Sequence, residues 1–95
     1  SSDIDIIKID VEGHEYECLR GLFNSSLDSN IHLILLEHHN DDMYKNSISF
    51  NQINDILNRN NFELIERFKH AFGNFEDLLY KNKMIWEGLI KYFYI

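Results

Sequence analysis

The sequence predicts an α/β fold assembled from parallel β-α-β units, and three observations carry that prediction. Short runs rich in β-branched and apolar residues recur at 4–11, 31–37 and 62–68. The stretches between them place apolar side chains at helical spacing, and polar turn residues separate the two kinds of segment. Strand, helix, strand, helix, strand in that order builds a parallel sheet with right-handed crossovers.

The first run, IDIIKIDV, reads as a strand in which Lys8 and Asp10 share one parity, joined by Glu12 if the strand extends that far. Gly13 breaks it. From 14 to about 23, Cys18, Leu19, Leu22 and Phe23 recur at helical spacing with Tyr16 beside them, and Gly21 lowers the helix propensity of the far end. Residues 24–30 are turn chemistry. The run 31–37, IHLILLE, is nearly continuous in apolar residues, as in strands buried on both faces of a parallel sheet. A polar loop, 38–47, follows it. Ser49 and Gln52 then form a capping-box pattern, with Phe50, Ile53, Ile56 and Leu57 behind it at helical spacing. This helix is expected to stop at Asn60-Asn61, since Asn tolerates a left-handed cap. FELIERF at 62–68 is a third strand, and 77–80 is a fourth, within 74–81. The apolar tail, 82–95, fits helix or strand equally.

Composition narrows the function classes. The chain has 95 residues, the size of one small domain, with 44% hydrophobic and 14% aromatic residues, which favours a packed core over disorder. Nine Lys and Arg against 16 Asp and Glu give a net charge of -7. That balance disfavours nucleic acid and anionic membrane surfaces, which select basic proteins. No apolar run approaches the ~20 residues that span a bilayer. Cys18 is the only cysteine, so no internal disulfide forms, and a reducing cytoplasm is the simplest compartment. The opening Ser1-Ser2-Asp3, entering a strand almost at once, is expected of a sequence cut from something longer.

In parallel α/β sheets, ligands bind beyond the carboxyl ends of the strands. This directs attention to two loops, 10–14 and 37–42. The first follows Ile7-Lys8-Ile9-Asp10-Val11-Glu12-Gly13-His14-Glu15, with Leu19, Arg20 and Gly21 as its continuation. The second follows Leu35-Leu36-Glu37-His38-His39, and Asp77-Leu78-Leu79-Tyr80 stands near the end. On these residues the chain resembles the FkbM family of methyltransferases from about 5 to 81.

The resemblance implies the carboxyl-terminal half of a class I, Rossmann-like methyltransferase domain over 1–81. Its sheet would be mostly parallel, holding the fourth to seventh strands of the family's sheet. The last of these, 77–80, would run antiparallel between the fifth and sixth, leaving the fourth as an unpaired edge. The implied cofactor is S-adenosyl-L-methionine and the implied reaction is O-methylation of a small-molecule or sugar hydroxyl. The family's glycine-rich cofactor loop has no counterpart here, because Gly13, Gly21, Gly73 and Gly88 do not cluster. The chain alone is therefore expected to be inactive.

Carboxylates near a cationic sulfonium are electrostatically reasonable, which favours Asp10 and Glu12; Asp10 is also expected to touch the cofactor. Their structural alternative is a pair with Lys8 for Asp10 and a helix first turn for Glu12. Glu37 and His39 share a parity, while His38 faces the other way. An imidazole takes protons near neutral pH, so His39 or His14 is a candidate base. Asp10, Glu12 and His39 are thus the candidate catalytic residues, and Gly13, His14, Glu37 and His38 the candidate acceptor-binding ones. Glu37, His38, His39, Asp41 and Asp42 have the composition of a metal site without a fixed ligand spacing, and no metal is assigned. His32 and His70 are expected to stand away from the carboxyl-end loops, and Cys18 to lie in the core. The competing reading is a non-catalytic binding or dimerisation module. It would associate through the exposed strand edge or the apolar tail.

Overall fold

The computed structural model describes residues 4–10, 13–25, 30–39, 49–73 and 75–85. The expected end of the first strand at Val11, Glu12, the pair Asp41 and Asp42, Gly88 and the tail from Trp86 onward lie outside the described residues. Six elements follow in the order β1 (Ile4–Ile9), α1 (Glu15–Asn24), β2 (Ile31–His39), α2 (Phe50–Arg59), β3 (Phe62–Lys69) and β4 (Phe75–Asn82).

The four strands form one mixed sheet in the order β1-β2-β4-β3. β1 and β2 are parallel, whereas β4 runs antiparallel to both β2 and β3. β1, β2 and β3 therefore point the same way and β4 is inserted between the last two. The expected antiparallel insertion is present. Its consequence is that only one of the three strand pairings is parallel, so the sheet is mixed where a mostly parallel one was expected.

Both crossovers advance across the sheet in the same direction, which places α1 and α2 on one face. Leu19 of α1 and Ile53 and Leu57 of α2 are buried there against Ile9, Ile34, Leu36, Phe62, Leu78 and Tyr80. Along β2 the side chains toward the helices (His32, Ile34, Leu36, His38) are buried, and the alternate ones (Leu33, Leu35, Glu37, His39) are only half-buried. The nearly continuous apolar run thus serves one covered face and one more open face among the described residues.

Local chemistry sets the element ends. The Ser49–Gln52 capping box forms in both directions, with Ser49 N–H donating to Gln52 Oε1 at 2.8 Å and Gln52 N–H to Ser49 Oγ at 3.3 Å. Past α2, Asn61 takes φ 67° and turns the chain into β3, as its tolerance of the left-handed region allows. At the opposite end of the sheet from the carboxyl ends of β1 and β2, Asn82 Nδ2 donates to Ile31 O at 3.0 Å. Lys83 N–H donates to Asn61 O at 2.8 Å, so the end of β4 is tied to both neighbouring segments.

Gly21 lies in α1 with an exposed position and no atom within 4 Å of where a Cβ would stand. Gly21→Ala removes backbone entropy from the unfolded chain and meets no steric cost. It is expected to stabilise the fold by about 0.5–1 kcal/mol, read as a higher urea midpoint at unchanged slope.

Candidate active site

β1 delivers Asp10 immediately past its last residue, and β2 carries Glu37 and His39 at its carboxyl end. Because β4 runs the opposite way, its first residues lie level with those ends: Glu37 faces Asp77 and His39 faces Phe75 across the β2–β4 pair. These side chains share the face opposite α1 and α2. The fold thus brings Asp10, Glu37 and His39, separated by up to 29 positions in the chain, to one end of one sheet face.

The electrostatics of this end are unusual for an exposed acidic rim. The Glu37 carboxyl is held above its ordinary range, foremost by its hydrogen bond with the Asp10 carboxyl. Partial burial and the charges of Asp10 and Asp77 push the same way, and His39 opposes them. His39 Nε2 stands 3.5 Å from Glu37 Oε2. The Glu37 carboxyl therefore favours its neutral form more than an ordinary glutamate does, with the Asp10 carboxyl as the main cause.

The β3–β4 hairpin adds three groups that the sequence reading left out. His70 Nε2 and Asp77 Oδ2 are hydrogen-bonded at 3.1 Å. The His70 ring stacks on Phe75 with centroids 4.2 Å apart at 27°, and His39 stands 5.5 Å from the same ring. Expected to lie away from the carboxyl ends, His70 is instead the first residue beyond the carboxyl end of β3. The correction has a simple cause: β3 extends to Lys69 and β4 starts at Phe75, so the hairpin is shorter than 62–68 and 77–80 imply. Gly73, at φ 96°, makes the turn; a Cβ there would stand 2.9 Å from the Phe75 ring.

The remaining expected residues divide between the two sides of the sheet. Gly13 takes φ 96° and turns the chain from β1 to α1. His14 precedes α1 with its side chain 79% exposed, 4.0 Å from Glu17. His38 faces the helices: its Nδ1 is buried 3.8 Å from Glu15 Oε1, an ion-pair distance longer than a direct hydrogen bond. Burial pushes the Glu15 carboxyl up, but His38 and the backbone N–H of Glu15 outweigh it and hold the group below its ordinary value. Beside His38 across the sheet, buried Glu76 accepts two hydrogen bonds from Arg67, at 2.6 and 3.1 Å. The Arg67 guanidinium lies 3.9 Å above the Phe50 ring. His32 is buried near the start of β2, and Cys18 packs beside the core.

Among the described residues, no three His, Cys, Asp or Glu side chains are placed to hold a metal ion. None of the described helices is long and apolar enough to cross a membrane. Two grooves of about 380 and 430 Å³, both lined by Tyr16 and Ile56, lie between α1 and α2, away from the strand ends.

The model of the methyltransferase FkbM domain matches residues 1–64. No curated protein and no solved structure gives a significant match. The matched segment runs from β1 into β3 and contains Asp10, Gly13, His14, Glu37 and His39, while β4 and the His70–Asp77 pair lie beyond it. Since the match covers 64 of the 95 residues, the chain belongs to the FkbM methyltransferase domain family.

Proposed function

We propose that the chain is the carboxyl-terminal part of an S-adenosyl-L-methionine-dependent methyltransferase that methylates a hydroxyl of a small molecule or sugar. The observation that carries this reading is the pair of carboxyls, Asp10 and Glu37, that the fold brings together past β1 and at the end of β2, with the Glu37 carboxyl held above its ordinary range. A sulfonium or ammonium group suits that pair, so the residues present fit the cofactor. When bound, S-adenosyl-L-methionine supplies an activated methyl group.

In this reading Asp10 faces the cationic part of the cofactor, and Glu12, two positions on in the sequence, is assigned to the same chemistry. Gly13 and His14 shape the rim on one side. Glu37 and His39 line the acceptor side, where the half-buried imidazole and carboxyl hydrogen-bond a hydroxyl and orient it. His38 contributes from beneath, by holding Glu15 and with it the first turn of α1. The glycine-rich loop that cradles the cofactor belongs to sequence upstream, so the chain alone is inactive, and the complete protein works in the cytoplasm.

Isothermal calorimetry tests this on the present chain and on one extended upstream. Binding of S-adenosyl-L-methionine only by the extended chain supports the reading. Asp10→Ala in that protein is expected to weaken binding about tenfold, or ~1.4 kcal/mol. A cation also lowers the pKa of a nearby carboxyl. At mildly acidic pH, binding should therefore release a proton that buffers of different ionisation enthalpy detect. If neither chain binds, the enzyme reading fails. The β1 edge, paired only with β2 among the described strands, then makes a dimerisation module the reading to pursue.

A further inference from the structure

Three features remain outside this account: the grooves between the helices, the buried Glu15–His38 and Arg67–Glu76 pairs, and the His70–Asp77 pair on the hairpin. The grooves have nothing on them that selects an occupant. The buried pairs are closed to ligands and act on stability. The hairpin pair is open, ordered and next to the residues already assigned.

We propose that His70, positioned by Asp77 and Phe75, is the group that takes the proton from the acceptor hydroxyl. This rests on the methyltransferase reading and deepens it. Three measurements favour His70 over His39. Its Nε2 is hydrogen-bonded to Asp77 Oδ2 at 3.1 Å, which fixes the ring from one side. Its ring is fixed by a 4.2 Å stack on Phe75, against 5.5 Å for His39. Its side chain is 40% exposed, against 18% for His39, so an acceptor can reach it.

The hydrogen bond also selects the tautomer. With Nε2–H donating to Asp77 Oδ2, the lone pair of the neutral ring is on Nδ1. That nitrogen accepts the hydroxyl proton while the oxygen's electron pair forms the new O–CH3 bond. The C–S bond breaks with its pair left on sulfur, and the Asp77 carboxylate stabilises the imidazolium that results. Proton and charge are balanced without a further reactant. His70 faces Asp77 and Phe75 of β4; Glu37 of β2 is the cross-strand partner of Asp77, His39 stands against the same Phe75 ring, and Lys69 precedes His70 as the last residue of β3. A hairpin latch with no part in catalysis is the competing role, and the test separates the two.

The full-length protein is assayed with S-adenosyl-L-methionine and methyl α-D-glucopyranoside as the hydroxyl probe. His70→Gln is expected to lower kcat about 100-fold with KM within about threefold, and to abolish the rise of rate with pH. Asp77→Asn should lower kcat about tenfold with KM within about threefold, because it removes the acceptor that orients the ring. A His70→Gln enzyme with the parent's rate and pH profile overturns the proposal. Imidazole nitrogen NMR decides independently of the acceptor. A neutral His70 protonated on Nε2, with that tautomer preference lost in Asp77→Asn, supports it; a proton on Nδ1, or a tautomer indifferent to Asp77→Asn, overturns it. Failure to bind S-adenosyl-L-methionine sinks the methyltransferase reading instead, and leaves the NMR result to stand by itself.

Discussion

Arg67→Ala is expected to destabilise the fold by about 3 kcal/mol at neutral pH, because it takes the guanidinium away from a buried carboxylate. Glu76 is fully buried, and Arg67 provides two charge-assisted hydrogen bonds to it. Breaking a buried pair from one side costs about 3–5 kcal/mol. The guanidinium is 38% exposed, so water replaces part of what it gives, which places the effect at the lower end. The loss should depend on pH in a direction that can be worked out. Without its cation, the buried Glu76 carboxyl favours the neutral form, and its folded-state pKa rises above the unfolded value. The folded variant then binds its proton more tightly than the unfolded chain does. Its stability falls as pH rises through the unfolded carboxyl range, and remains low above the folded-state pKa. Urea unfolding should therefore show the variant nearer the parent at pH about 4 than at pH 7. Adding Glu76→Leu should recover part of the loss, since the double variant buries no charge. A penalty that is the same at both pH values would show that packing of Arg67 on Phe50, and not the carboxylate, is what the substitution removes.

This pair also shows where sequence reading stops. Arg67 and Glu76 are nine positions apart in two strands expected to end and begin differently, and nothing in either run marks them as partners. The elements themselves were legible because each obeys a local rule. The capping box placed the start of α2 at the right residue, Asn60-Asn61 marked its end, and periodicity located α1. The antiparallel insertion of β4 came only from the family resemblance, since the pattern of 74–81 marks a strand but not the strands it joins. Strand ends were the weakest point. Polar residues at a strand terminus, such as Lys69 or Glu76, pair across the sheet as readily as they face solvent, so composition does not show where pairing stops.

For the site the same limit had a chemical consequence. Parity correctly set Glu37 and His39 on one face with His38 on the other, because the two-residue period of a strand is strict. Asp10 was found by position, at a carboxyl end. His70 and Asp77 were not placed at this end of the sheet, because an antiparallel strand delivers its first residues, not its last, to the carboxyl ends of its neighbours. A rule that searched only the segments after each strand could not reach Asp77. Reading the start of an inserted antiparallel strand together with the residue just before the turn would have found both.

Phe62→Ala carries the other large effect, an expected loss of about 3–5 kcal/mol from one deleted ring. Phe62 is completely buried at the start of β3, with the Phe23 ring of α1 5.8 Å away at 45° and Asn82 of β4 as its cross-strand partner. It is where one helix and two strands meet, so no single neighbour can move in to fill the space. A domain of 95 residues has roughly 5–14 kcal/mol of stability in all, which makes this loss a large share of the total. Phe72→Ala is the matched control: that ring is 89% exposed, and its removal should change stability by less than about 0.5 kcal/mol. The position of Phe62 links core packing to the site. Among the described strands β3 lies at an edge, with a register shift between Leu64 and Glu66, held near its start by Phe62 and near its end by Arg67. His70 depends on that register to stand beside Asp77. Loosening the start of β3 should therefore raise amide exchange along the strand more than along β2, which has a strand on each side. Equal acceleration in both strands would mean that the sheet opens only as a whole, and that the hairpin has no local freedom of its own.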